Sequence, residues 1–275
     1  MHKAAQQTQS KKPRRPHRAR RRLESTTTKV REFWLYGRHT VTAALKNPVR
    51  VLRRLIATSE EAARLKNENL IANNDIIEVV PRMRLDEIIG VTSVHQGIAL
   101  QTSALPQPSL DQLLVKVAHK RPHLFIVLDQ VTDPQNVGAV IRSSAAFGVQ
   151  AVIAQARRAP DESGSMAKAA SGAMEIVPYV KVTNLARTLE QFKSNKIWTV
   201  GLDNKATSEF SCSNLADSIA LVVGSEGHGL RRLVAANCDE LAKLPIVAAI
   251  DSLNVSTAAA VALYEVSRQR SSSNE

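Results

Sequence analysis

An α/β fold built on a mainly parallel sheet is predicted by three features of the sequence. From Leu124 onward, short apolar or β-branched runs of the kind buried on both faces of a parallel sheet alternate with helical patterns. A shorter alternation of the same kind precedes them, and a proline-bearing stretch separates the two. The 275 residues, 44% apolar and only 4% aromatic, suffice for two domains and a tail. The longest apolar runs are strand-length, such as Ala220–Val223, well short of the roughly 20 residues that cross a bilayer.

The formal charge of +12 is unevenly placed. Residues 1–31 hold eleven Lys and Arg against the single acid Glu24, leaving +2 for everything after them. With Pro13 and Pro16 among arginines and almost no apolar residues, this tail has no amphipathic face and is expected to be disordered. It is either a solubilising extension or an arm that binds phosphates by counterion release. The lack of an apolar face weighs against a mitochondrial presequence, and no secretory apolar stretch follows. Cys212 and Cys238 form no CxxC, and the seven histidines show no ligand spacing. A reducing cytoplasm without a structural metal is the default expectation.

Phe33 to Gln101 reads as one α/β unit: a short helix over Thr40–Leu45, a strand over Leu52–Ala57, a helix over Glu60–Asn69, a strand over Ile76–Val80, a helix over Arg84–Ile89 and a strand over Gly97–Leu100. Thr102–Ser109, with two prolines and no periodicity, has the composition of a linker. Beyond it, strands are expected at Leu124–Leu128, Ala151–Ala154, Ile176–Val180, Ile197–Gly201 and Ile219–Val223, with helices at Asn136–Phe147, Leu185–Lys193 and Leu230–Ala236. In the last helix, Val255, Ala258, Ala259, Ala262, Leu263 and Val266 make one apolar stripe that Asn254 can cap.

Three segments carry polar chemistry. In the first, residues 128–142, a buried strand stops at Asp133-Pro134 and a helix begins, which sets polar groups at the carboxyl end of a strand where open α/β sheets bind ligands. Asn136 and Arg142 fall on different sides of a continuous helix, so both reach one site only if Asn136 belongs to the entry turn. From position alone they read as a cap and a surface cation. The second segment, residues 221–230, has Gly224, Gly227 and Gly229 after an apolar strand, which permits close approach of backbone to a ligand. It matches neither the triphosphate-binding GxxxxGK[ST] nor GxGxxG, Glu226 opposes a polyphosphate, and GxSxG is not satisfied. The third, residues 244–258, is an extended stretch of small residues followed by Ser252-Leu253-Asn254-Val255-Ser256 and an alanine-rich helix. It is either an ordinary capped helix or a place where another backbone or a flat ligand comes close.

Together and in this order, Asn-Val-Gly-Ala-Val-Ile-Arg (136–142), Gly-Ser-Glu-Gly-His-Gly-Leu (224–230) and Ser-Leu-Asn-Val-Ser (252–256) resemble the three motifs of the SpoU family of RNA 2′-O-ribose methyltransferases, in the SPOUT superfamily. The resemblance covers most of residues 33–270. Residues 37–101, from Gly37-Arg38-His39 through His95-Gln96-Gly97-Ile98, resemble the substrate-binding domain of the branch that modifies a guanosine of large-subunit (23S) ribosomal RNA, as does Ala167–Glu175.

The resemblance implies a trefoil-knotted catalytic domain at residues 113–275, a smaller L30e-like substrate-binding domain at 32–104, a linker at 105–112 and the tail at 1–31. It implies S-adenosylmethionine as cofactor, structured RNA as substrate and a homodimer with active sites near the subunit interface. Asn136, Arg142, Glu226, Ser252 and Asn254 would line the reaction site, and Gly224, Leu244, Ile246 and Leu253 would hold the cofactor, largely through backbone groups. Ala248 stands where a glycine is usual and Asp251 where a small or hydroxyl residue is common.

A ribose 2′-hydroxyl is a poor nucleophile, so a group must accept its proton or stabilise the alkoxide. Arg142, always protonated, suits the second role, and Glu226 could orient it through a bidentate pair. Asn136, Ser252 and Asn254 would position ribose, phosphate or the motif loops. A transfer-RNA ribose methyltransferase and a non-catalytic RNA-binding assembly factor are the competing readings. The domain at 33–101 favours ribosomal RNA, and the intact site residues favour catalysis. His39, His95 and His228 read as packing or hydrogen-bonding residues rather than catalysts.

Overall fold

The computed structural model describes residues 32–71, 77–119, 122–247 and 252–272. The basic tail, Ala248, Asp251 and residues 273–275 lie outside this set, so the expectations attached to them concern residues not described.

The first part of the chain runs β1 (Glu32–Tyr36), α1 (Arg38–Lys46), β2 (Leu52–Ala57), α2 (Ser59–Asn67), β3 (Ile77–Val79), α3 (Arg82–Ile89) and β4 (Ile98–Ser103). Its four-stranded sheet has the order β1-β4-β2-β3, antiparallel except for the β2–β3 pair. Edge strand β1 went unpredicted because its five residues show no alternation against a buried face. Thr102 and Ser103, expected in the linker, are strand residues paired across to Phe33 and Glu32.

The second part runs α4 (Leu110–Val117), β5 (Leu124–Asp129), α5 (Pro134–Ala146), β6 (Ala151–Gln155), α6 (Gly164–Ala170), a 3-10 turn at Ala173–Glu175, β7 (Tyr179–Val182), α7 (Leu185–Ser194), β8 (Trp198–Leu202), β9 (Ser208–Glu209), a 3-10 turn at Phe210–Cys212, β10 (Ile219–Gly224), α8 (Arg232–Ala236), β11 (Glu240–Lys243) and α9 (Val255–Ser272). Seven strands, all parallel to their neighbours, form a sheet of order β7-β6-β5-β10-β8-β11-β9. The β5 side chains show why its sequence is a continuous apolar run. Leu124, Ile126 and Leu128 pack on one face with α5, α6 and α9, while Phe125 and Val127 pack on the other with α4, α7 and α8.

Several boundaries shift from the sequence pattern, and two of the shifts have clear local reasons. β7 starts at Tyr179 and not at Ile176, because Ala173–Glu175 closes a 3-10 turn and Pro178 has no N–H to give a ladder. Helix α4 opens inside the expected linker, where Ser109 and Gln112 form a reciprocal capping box. Among the described residues, no helix is long and apolar enough to cross a membrane.

The two sheets are joined through α6 and its flanks. A Cβ on Gly164 would collide with the Trp34 carbonyl oxygen, so only glycine lets the start of α6 lie against β1. Thr40 donates to the Ala167 carbonyl at 3.2 Å. The buried Arg50 guanidinium pairs with Glu162 at 2.6 Å and Glu175 at 2.5 Å and donates to the Ser103 carbonyl at 3.0 Å. Its two carboxylate partners hold it charged and raise its pKa, against the lowering effect of burial.

Candidate active site

The carboxyl ends of β5, β10, β8 and β11 share one edge of the large sheet, and the polar segments gather there. After β5, Gln130 takes the left-handed region at φ +60° and the chain turns into α5. Asp133 caps that helix, accepting from the Gln135 and Asn136 amides at 3.1 and 3.3 Å, and Pro134 fills the first helical position. Asn136 is therefore not the cap. It sits in the first turn of α5 with its amide free for tertiary contacts.

Those contacts close a triangle among the three motif segments. Asn254 Nδ2 donates to Glu226 Oε1 at 2.5 Å and to Asn136 Oδ1 at 3.0 Å, and Asn136 Nδ2 donates to Glu226 Oε1 at 3.4 Å. Glu226 Oε1 also accepts from the Val255 amide at 3.3 Å, while Asn254 Oδ1 accepts from the Ser256 and Thr257 amides at 2.9 and 3.4 Å. Asn254 thus caps α9, as expected, and ties its N-terminus to the other two segments.

The glycine turn is locked from both ends. A Cβ on Gly224 would run into the backbone of Gly229 and Leu230, where the turn closes on itself through the Gly229 amide and the Ser225 carbonyl at 2.9 Å. Asp129, fully buried at the end of β5, accepts from the Arg231 amide at 2.9 Å and from Arg231 Nε at 2.8 Å, so the exit of the turn is clamped to the strand that leads into Asn136.

Beside the triangle lies a cavity of about 480 Å³, within the range of small-ligand sites. Gly224, Leu244, Ile246 and Leu253 all line it, as do Glu226 and Ser252. Ser252 therefore faces the cavity, and the triangle is made by Asn136, Glu226 and Asn254 alone. The sequence reading missed the loop after β8, where Leu202, Asp203, Asn204 and Lys205 form the opposite wall. The available signal was its place at the end of an apolar strand. Apolar walls from Leu202, Val223, Leu244, Ile246 and Leu253, with backbone exposed along the turn, suit a flat base plus a polar tail, and so fit an adenosine-bearing cofactor.

Arg142 stands apart. It is six residues beyond Asn136 on a continuous α5, hence about 120° round the helix from it. Its side chain is exposed, and among the described residues it makes no hydrogen bond or ion pair. The expected Glu226–Arg142 pair is not formed within the chain: Glu226 Oε1 accepts from Asn254, Asn136 and the α9 amide instead. His95 is a buried structural residue, with Nε2 2.8 Å from Asp86 and Nδ1 accepting from the Gly97 amide at 3.1 Å. His228 lines the cavity and His39 is exposed. Burial pushes the Cys238 thiol up to about 12, which removes it as a nucleophile.

Comparison with known proteins places the chain among relatives. Residues 123–264 match the model of the SpoU rRNA Methylase family, and residues 34–108 match that of the RNA 2′-O ribose methyltransferase substrate-binding domain. The chain is 39% identical over 241 residues to the 23S rRNA (guanosine-2′-O-)-methyltransferase RlmB of Ralstonia nicotianae, covering 86% of this chain and 96% of the relative. It is 40% identical over 239 residues to the protein of the same name from Yersinia pestis, covering 86% and 97%. Among solved structures, the SpoU methyltransferase AviRb from Streptomyces viridochromogenes in complex with AdoMet superimposes with a TM-score of 0.73 at 22% identity, covering 88% of this chain and 91% of that one.

Proposed function

This chain belongs to the SpoU rRNA methylase family, and we propose that it transfers a methyl group from S-adenosylmethionine to the 2′-hydroxyl of a guanosine ribose in large-subunit (23S) ribosomal RNA. The observation that carries the reading is the Asn136–Glu226–Asn254 triangle at the edge of an adenosine-sized cavity, assembled from three segments that are far apart in the chain. The cofactor supplies a methyl already activated on a sulfonium, so the protein's work is in-line positioning and charge stabilisation.

Gly224, Leu244, Ile246 and Leu253 hold the cofactor, with the Leu202–Lys205 loop opposite. Glu226 fixes the side chains of Asn136 and Asn254, which present amide groups to the ribose or its phosphate. Ser252, at the cavity wall, is placed to touch both ligands. Arg142 stabilises the developing alkoxide.

The working unit is a homodimer in which Arg142 of one copy serves the site of the other. Its exposure, its lack of a partner among the described residues and its turn away from Asn136 support this, as do the exposed apolar Val261 and Tyr264 on α9, a helix packed against α5. The setting is the cytoplasm. Residues 32–104 form the substrate-binding domain and 113–275 the catalytic domain, and the similarity to relatives named as 23S rRNA methyltransferases favours ribosomal over transfer RNA.

The test is transfer of tritium from methyl-labelled cofactor to a 23S transcript and to total transfer RNA, with mapping of the product. Label confined to a 2′-O-methylguanosine of the large-subunit RNA is expected. Label on transfer RNA alone, or none on either, would overturn the assignment.

A further inference from the structure

The turn after β6 holds two adjacent guanidinium groups that nothing among the described residues neutralises. Arg157 and Arg158 are exposed, and among the described residues neither side chain has an ion pair or hydrogen bond. The acids that follow in the same loop are committed elsewhere. Asp161 accepts from Lys181 at 2.6 Å, and Glu162 is held by Arg50 at 2.6 Å and by the Leu105 amide at 3.0 Å. Side by side, the two arginines repel each other, an arrangement that an anionic ligand would relieve.

Topology places them beside the active site. β6 pairs with β5, with Ala154 opposite Leu128, and β5 pairs with β10, with Leu128 opposite Val223. All three strands run the same way, so the Arg157 turn, the approach to Asn136 and the Glu226 turn stand in a row along one edge. At roughly 4.8 Å per strand, the arginine turn lies about 10 Å from the glycine turn. The cofactor cavity is on the opposite flank, over β10, β8 and β11. A nucleotide whose ribose meets the triangle, with the cofactor on the β8 side, has its free flank over β6. The sugar-phosphate backbone flanking such a nucleotide would pass there, and a pair of guanidinium groups is the matching donor set for it.

We infer that Arg157 and Arg158 bind the phosphodiester backbone of the substrate RNA a few nucleotides from the target ribose. The inference rests on the function proposed above. The buried Glu162–Arg50 pair fixes the far end of the loop against the first sheet, so the turn that carries the arginines is tethered to the substrate-binding part of the chain.

The full-length protein and its Arg157→Ala/Arg158→Ala variant are compared by binding to a 23S transcript across a salt titration and by steady-state methylation. The slope of log affinity against log salt should fall by about two, and the loss in activity should appear as an increase of about tenfold in KM for RNA. Cofactor affinity and Tm should not move. The charge-conserving Arg157→Lys/Arg158→Lys variant should keep the slope, which a purely structural role would not require. An alanine variant with wild-type slope and KM would overturn the inference. A wild-type protein that methylates no RNA would instead overturn the function, and the slope comparison would still decide the role of the arginines.

Discussion

Asn254 Nδ2 lies 2.5 Å from Glu226 Oε1, a contact between residues 28 apart that fastens the start of α9 to the glycine turn. Both side chains are exposed, so the contact contributes little to global stability: replacing Glu226 with alanine should cost about 1 kcal/mol. It should cost far more in rate, about 10²-fold, because Asn136 and Asn254 lose their common acceptor. A thermal melt beside a methyl-transfer assay separates the two. Equal, modest losses in both would make the triangle merely structural.

Arg142→Ala should abolish transfer, by about 10²- to 10³-fold, while leaving cofactor binding nearly intact. If the guanidinium serves the partner's site, mixed dimers of Arg142→Ala and Glu226→Ala chains carry one site with both residues intact. Mixing the two inactive variants should then restore part of the activity. No recovery in verified mixed dimers would place Arg142 in its own chain's site.

The backbone of Gly229 and Leu230 occupies the space a side chain at Gly224 would need. Gly224→Ala must push the turn outward into the cavity, and the expected result is a loss of cofactor affinity of at least about tenfold together with about 1–3 kcal/mol of stability. Calorimetric titration with S-adenosylmethionine checks this, and an unchanged Kd would refute it.

Arg50 is buried between two carboxylates, and removing it strands both. Arg50→Ala should destabilise the protein by about 3–5 kcal/mol, whereas loss of an exposed pair such as Arg84–Glu87 should cost under about 1 kcal/mol. Denaturant melts of the two variants should differ accordingly. Similar midpoints would mean that the buried cluster is dispensable.

Deleting residues 1–31, with their eleven cationic side chains, should weaken RNA affinity and flatten its salt dependence without changing the fold of the rest. The same affinity at every salt concentration would leave the tail no part in binding.

Much of the architecture was written in the sequence. Leu124–Leu128, Ala151–Ala154 and Ile219–Val223 are apolar throughout because their strands are buried on both faces, and that requirement acts residue by residue. The α9 stripe and its Asn254 cap are equally local. The cavity-lining Gly224 and the triangle members stood out in the sequence because a close-packed turn and a hydrogen-bonded cap demand particular residue types. Tertiary structure alone decided the rest. Arg50 meets Glu162 and Glu175 across 112 and 125 residues, and a pairing at that separation imposes no period on either segment. Whether Glu226 meets Asn254 and Asn136 or Arg142 is likewise set by where three separate segments come together. Periodicity records how each residue faces its own element's neighbours, and it carries no record of which distant element supplies the partner.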